Sequence, residues 1–395
     1  MMRRVGLLIV LLAARLPEAQ PIVVRYPQTT RPPARWTIDP RPLLEIGGQD
    51  GTGPTEFTNI VGVGRQSTGA LIVADGATNE LRAFEARGRF VKRWTRLGRG
   101  PGELLALDGI SMEGDSVVVV EGRQAVHLFA PDGERLRSLM LPPVPGFIAN
   151  PVFGSMSSFD AMLRLRAGSL EQLASVRQDS IWFARVSLRD SGVRVLAAER
   201  LGPTFPLSPG RTRYALGFGA APLVVARTGR MCVAFSARVR VTCMDSLGRA
   251  AFILEHEVAR RAVTDSARRA YRAVTSGRRP DGTSRFAGGL REFREQVARE
   301  SQFADVYPAM SQLLLAHTGE LWVRHYATED GFEASRWRSN TAASAWSIYD
   351  GAGRWVADCV LPPRFAPADM GTDWVVGVSR DADDVERVSV YRLRR

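Results

Sequence analysis

The sequence predicts an all-β chain, one unit of short antiparallel strands used six times, with a helical segment set into it. Three observations predict it: apolar runs of about five residues separated by turn residues, the return of that pattern at a fixed spacing, and one stretch where the periodicity becomes helical. The clearest unit runs from Gly69 to Trp94: an apolar run, a polar turn, an alternating run ending in Phe84, a turn at Gly88 and a third run. A second unit places Val117, Glu121, Phe129 and Gly133 where the first has Leu71, Asp75, Phe84 and Gly88, about 45 residues on. A period of roughly 40 to 50 residues with several strands per repeat is the signature of a β-propeller, whose blades pack around a central channel.

The units follow in chain order. After the first two, Ser180 to Leu201 supplies the third, and Met231, Met244 and Gly248 answer Leu71, Phe84 and Gly88 in the fourth. Leu321, Tyr349 and Gly353 do so in the fifth, and strands ending at Tyr391 make the sixth. The last unit lacks its outermost strand, while the stretch from Trp36 to Ile46 has no hairpin partner; ring closure, with the early strand completing the final blade, accounts for both. Between the fourth and fifth units, residues 257–305 favour helix, with Leu290, Phe293 and Val297 on one face, and are expected as two helices over one mouth or side of the ring. A shorter insertion, Ala327 to Asn340, is expected as a surface loop within the fifth unit.

Ahead of the propeller, expected over 36–395, residues 1–20 order basic, apolar and small residues as a secretory signal does, and 21–35 read as a Pro-rich linker. The apolar run from Val5 to Ala14 is too short to span a bilayer, which takes roughly 20 residues in a helix, and no later segment is expected to cross one. The mature chain is therefore expected in the periplasm or outside the cell, as a monomer. Cys232 and Cys243 flank a predicted two-residue turn at Ala237-Arg238, which sets them opposite each other on antiparallel strands and within disulfide reach; two buried thiols are the alternative. Cys359 has no evident mate.

The charge is misleading. A net +12 invites nucleic acid, but all 53 basic residues except Lys92 are arginine and they spread along the whole chain, a bias that fits a GC-rich coding sequence better than an electrostatic site. The glycine-rich Leu97 to Leu104 is no phosphate loop: Gly100-Pro101-x-Glu103 puts proline and a carboxylate where a phosphate loop needs lysine and a hydroxyl. The same motif stands at Gly53-Pro54-x-Glu56, so Glu56 and Glu103 are expected to fix a turn between blades.

Gly69 to Asp75 followed by Leu81 to Phe84 resembles an NHL repeat, and the doubled Gly-Pro-x-Glu motif, the helical insertion and the closing strand resemble six-bladed propeller proteins exported by Gram-negative bacteria. The resemblance covers roughly Trp36 to Arg395 and implies the fold more than a function. Thr78 and Glu80 stand where the NHL pattern usually has Asn and Arg, which weakens transfer of that family's partner binding, RNA included.

Chemistry is sparse. Asp75, Glu121 and His325 occupy one equivalent position of three blades and could ring a channel mouth as Ca2+ or Zn2+ ligands, whereas Phe235 and Val378 fill that position elsewhere. Neither an HExxH helix nor a GxSxG elbow is present. Trp337, between two arginines, and Tyr271 and Phe286 in the helical insertion are candidate ligand-binding aromatics, or else pin their insertions to the ring. The expected function is a non-catalytic binding module for a protein or glycan, with no catalytic residue and no cofactor. The alternative is a metal-dependent hydrolase or lyase similar to gluconolactonase-type propellers.

Overall fold

A computed structural model describes residues 20–48, 53–100, 102–122, 125–141, 147–157, 160–167, 180–187, 193–200, 202–208, 212–227, 229–279, 281–328 and 342–395. The protein is an all-β propeller. Among the described residues the strands fall into six successive meanders, whose inner strands are Ile60–Arg65, Leu107–Glu113, Phe147–Ser157, Pro222–Arg227, Met310–Leu315 and Phe365–Met370. Each inner strand through Pro222–Arg227 touches that of the next sheet, as that strand touches Met310–Leu315, and Phe365–Met370 touches Ile60–Arg65, so the sheets run round a common axis.

The repeat positions seen in the sequence are cross-strand partners. Leu71 faces Phe84, Val117 faces Phe129, Met231 faces Met244 and Leu321 faces Tyr349, and all eight are buried. Val375 and Tyr391 make the same pair in the last sheet. Each such side chain, taken out of water, stabilises by about 1.5–3 kcal/mol, which is why the positions stay apolar from unit to unit. The turn glycines have positive φ, 84° at Gly88, 90° at Gly133, 77° at Gly248 and 81° at Gly353. At Gly133 and Gly353 a Cβ would also meet the rings of Trp94 and Phe252 in the preceding sheet at 2.6 and 2.7 Å, so the turn glycine permits close blade stacking as well as the turn.

Closure works as the unpaired early strand suggests. Leu44–Gly47 pairs antiparallel with Glu386–Arg394 and supplies the missing fourth strand of the last sheet. Arg35–Ile38 bridges the fifth and sixth sheets, parallel to Trp355–Leu361 and antiparallel to the end of Glu386–Arg394. The linker expected over 21–35 is corrected at its start: Ile22–Tyr26 lies parallel to Ala250–His256 as a fifth strand on the fourth sheet. Its β-branched run suits a sheet edge, and Tyr26 anchors it, accepting a hydrogen bond from the Trp355 N–H at 2.7 Å and packing against His256. The signal-like stretch falls outside the described residues up to residue 19.

The two helices, α1 (Asp265–Ser276) and α2 (Gly288–Glu300), lie between the fourth and fifth sheets. Thr264 caps α1 by accepting from the Ala267 N–H, and Gly277 ends it in the left-handed conformation. Val297 is buried against Phe205 and Leu207 of a hairpin (Thr204–Leu207, Thr212–Ala215), while Leu290 and Phe293, on the same helical face, remain 54% and 38% exposed because the helix docks by its C-terminal half. Hairpin and helices both precede an inner strand, which puts them at the ring's end where inner strands begin. Among the described residues no helix is long and apolar enough to cross a membrane.

Candidate functional site

The structure carries Asp75, Glu121 and His325 to the same end of their sheets, opposite the starts of inner strands at Ile60, Leu107 and Met310. It does not make them converge; each is held by near neighbours. Asp75 is fully buried, accepts from the Ala77 N–H at 3.0 Å and lies 3.2 Å from the Arg82 guanidinium. Glu121 accepts from the Leu105 N–H at 2.6 Å and meets His127 Nε2 at 2.7 Å, where burial holds the imidazole below its usual range despite that carboxylate. Ser347 donates to Asp358, so His325 Nε2 donates to the Ser347 oxygen at 2.9 Å; burial likewise holds the His325 imidazole below its usual range. Among the described residues no three His, Cys, Asp or Glu side chains gather as a metal-ligand set.

The candidate aromatics turn inward. Tyr271 packs its ring against Phe218 and Phe303 at 5.4 and 5.3 Å, and Phe286 lies beneath the Arg294 guanidinium at 5.2 Å beside Gly277. Trp337 falls outside the described residues. Glu103 accepts from the Gly100 N–H at 2.7 Å and from Arg96 at 2.8 Å, fixing its turn, and these bonds hold its carboxyl low. Cys232 and Cys243 are directly opposed, with Cα atoms 4.0 Å apart, and are joined as a disulfide. Cys359 is buried and free, its thiol pushed up by burial to about 12.

A cavity lies at the other mouth, where inner strands end. It is small and lies between Val63, Met112, Val225, Leu314 and Ala368, with Arg227, Ser111 and Asp369 among its walls. Asp369 is 3% exposed. Its Oδ1 accepts from Arg227 Nη1 at 2.6 Å, its Oδ2 lies 2.7 Å from His317 Nε2, and Arg227 Nη1 also donates to the Leu315 carbonyl at 2.8 Å. Burial works to raise the Asp369 carboxyl, but the Arg227 charge and then His317 outweigh it and hold it below the usual range. Ionised Asp369 accepts only, so His317 Nε2 carries the proton and donates; Arg227 Nη2, 2.9 Å from the same nitrogen, cannot then donate to it.

From His317 the rim continues to Trp374, ring centroids 5.6 Å apart, and on to Arg65, whose guanidinium lies 4.9 Å over the Trp374 ring. Arg65 is half-buried and makes no hydrogen bond or ion pair with a described residue. Burial lowers its pKa, opposed by the charge of Asp373, but a guanidinium stays protonated. This mouth therefore carries a small cavity, an aromatic ring and a cation with unused donors. The sequence does not bring Arg65, Arg227, His317, Asp369 and Trp374 together when the repeat register is followed at only one end of the strands. The same register applied to the inner-strand ends places Arg65 with Met112, Ala226 and Leu315, three residues of the cavity wall.

No protein-family model and no curated protein matches the chain. Solved structures do. A DUF4221 family member from Bacteroides vulgatus aligns over 91% of this chain and 99% of its own, at 11% identity and a TM-score of 0.50. A candidate exported protein of Bacteroides fragilis aligns over 94% and 99% at 12% identity, TM-score 0.47, and BamB from Moraxella catarrhalis over 90% and 93% at 13% identity, TM-score 0.35. At 11% identity the likeness to the DUF4221 family member is one of fold alone.

Proposed function

We propose that the chain is an exported six-bladed β-propeller of NHL-like repeats that acts, without catalysis, as a binding module in the periplasm or outside the cell, as a monomer with a protein or glycan partner. The observation that carries this reading is the Arg65 guanidinium stacked on Trp374 at the end where inner strands finish, while the polar groups at the opposite end are each engaged within their own sheet. Export is supported by the order of basic, apolar and small residues over 1–20, and a cross-strand disulfide suits an oxidising compartment.

The test has two arms. Affinity capture from the exported fraction, with wild type and Trp374→Ala side by side, is expected to retain a partner that the variant loses at unchanged melting temperature. Elemental analysis, with thermal unfolding before and after chelator, addresses the metal-dependent alternative at Asp75, Glu121 and His325. A stoichiometric Ca2+ or Zn2+ whose removal lowers the melting temperature overturns the non-catalytic reading. Retention of the partner by Trp374→Ala moves the binding surface away from this mouth.

A further inference from the structure

Three side chains of the second sheet form a chain of hydrogen bonds that the binding-module reading does not use. Glu121, at the end of Ser116–Glu121, places Oε2 2.7 Å from His127 Nε2 on Ala125–Phe129, and His127 Nδ1 lies 2.8 Å from the Ser138 hydroxyl on Arg135–Met140. The sheet itself sets this order. His127 is the cross-strand partner of Ser138 and stands two residues after Ala125, the partner of Glu121, so alternation keeps all three on one face. The base is hidden and the hydroxyl is not: His127 is buried, Glu121 partly buried and Ser138 exposed.

The acceptors and donors fix where the protons sit. Oε1 of Glu121 accepts from the Leu105 N–H at 2.6 Å, and a carboxylate can only accept, so the proton shared with Oε2 is assigned to His127 Nε2. In the unprotonated ring Nδ1 then offers a lone pair, and the Ser138 hydroxyl donates to it. Burial, with a smaller contribution from the Arg135 charge, outweighs Glu121 and holds the imidazole below its usual range, which leaves more of it unprotonated at a given pH. A serine held this way can pass its proton to the ring as its oxygen attacks, the arrangement that makes a weak nucleophile a usable one.

We infer that Ser138 is an activated nucleophile, a covalent modification site that takes an acyl group from an activated carboxylic ester, with His127 as its base and Glu121 as the residue that positions the base. Ser138 Oγ forms a bond to the carbonyl carbon and its proton moves to His127 Nδ1. The bond from that carbon to the leaving oxygen breaks, and the leaving group departs as the alcohol with the proton from the ring. The product is an acyl ester of Ser138. One acylation per chain is not turnover, so the inference is independent of the non-catalytic reading.

The test is incubation of the protein, purified as exported from cells expressing the whole chain, with 4-nitrophenyl acetate, read as nitrophenolate release and as a peptide map of the acetyl group. Lys92 is the single lysine, so amine acetylation is confined to it and the N-terminus and is resolved from Ser138 on the map. Ser138 is expected to be acetylated at least about 100-fold faster than the chain's other serines, the lower end of what a positioned base supplies. Ser138→Ala should abolish that label, and His127→Gln should slow it by about 100-fold or more. In Glu121→Gln the Leu105 N–H holds the amide oxygen, the amide nitrogen donates to Nε2 and the ring proton moves to Nδ1, so labelling should slow as much although the hydrogen-bond chain persists. Wild-type labelling of Ser138 should level off above about pH 6.5, where the ring is unprotonated, whereas acetylation of Lys92 keeps rising towards an amine pKa of about 10.4. Acetyl on Lys92 or the N-terminus and none on Ser138, a Ser138 rate no greater than that of other serines, labelling unchanged in Glu121→Gln, or a rate that climbs with pH without a plateau each overturns the inference. The wild-type map and pH profile need no variant, so they decide the matter even if His127→Gln fails to fold. Nitrophenolate release that continues past one equivalent and is lost in Ser138→Ala upholds this inference and removes the non-catalytic reading; partner capture with no label on Ser138 does the reverse.

Discussion

Asp369 shows what a single residue does at this mouth. With its two oxygens shared between Arg227 and His317, it neutralises a guanidinium that would otherwise be buried unpaired. Asp369→Asn keeps the shape and removes the charge, and should cost about 3–5 kcal/mol in urea unfolding, the usual effect of breaking one side of a buried pair. The pH dependence follows from the depressed carboxyl. A group whose folded pKa lies below its unfolded value of about 3.9 contributes its full stability above that value and loses it as pH falls through the folded one. Wild type should therefore lose stability more steeply than Asp369→Asn below about pH 4, measured as melting temperature against pH; parallel curves would mean that the pair is not formed. None of this was legible in the sequence, because Arg227, His317 and Asp369 come from three sheets and no short motif joins them.

At the scale of the element, the turns and the repeat positions are legible in the sequence. The turn glycines recur at the repeat period because two demands coincide, positive φ and contact with the preceding sheet, and two glycines separate these demands. Gly133→Ala should cost about 2–4 kcal/mol, combining conformational strain with the clash against Trp94. Gly282→Ala, at a φ of 81° with no atom within 4 Å of its added Cβ, should cost only about 1 kcal/mol. Equal losses in denaturant titrations would dismiss the stacking argument. Replacing Cys232 and Cys243 by serine should lower stability by about 2–3 kcal/mol, as expected for a short loop, and abolish the effect of reductant on the wild-type midpoint. Leu290, Phe293 and Val297 share one face of α2, and how much of it is covered depends on where the Thr204–Leu207 hairpin lies.

Across the whole molecule, closure depends on Leu44–Gly47, whose Ile46 is buried among Val376, Val378, Val388 and Val390. Ile46→Asp should detach this strand and bare the edge of Glu386–Arg394. The expected results are early hydrogen exchange at the Val388 and Val390 amides, a broader unfolding transition and concentration-dependent association in sedimentation. An unchanged exchange pattern would place the ring's last lock elsewhere, for example at Ile22–Tyr26 or Arg35–Ile38.

The sequence by itself determined the all-β class, the repeat, the recurring positions of Leu71 and Phe84, the position of the helical insertion and the early strand that completes the last sheet. All of these are written in local periodicity and turn chemistry, or in the mismatch of one unit with the others. Only the tertiary structure decided that the apolar run at Ile22–Tyr26 joins a sheet, that Asp75, Glu121 and His325 find partners within their own sheets, and that Arg65, Trp374, His317, Asp369 and Arg227 meet at one mouth. The physical reason is that a channel mouth takes one or two residues from each of several distant strands. Their proximity exists only once the ring has closed.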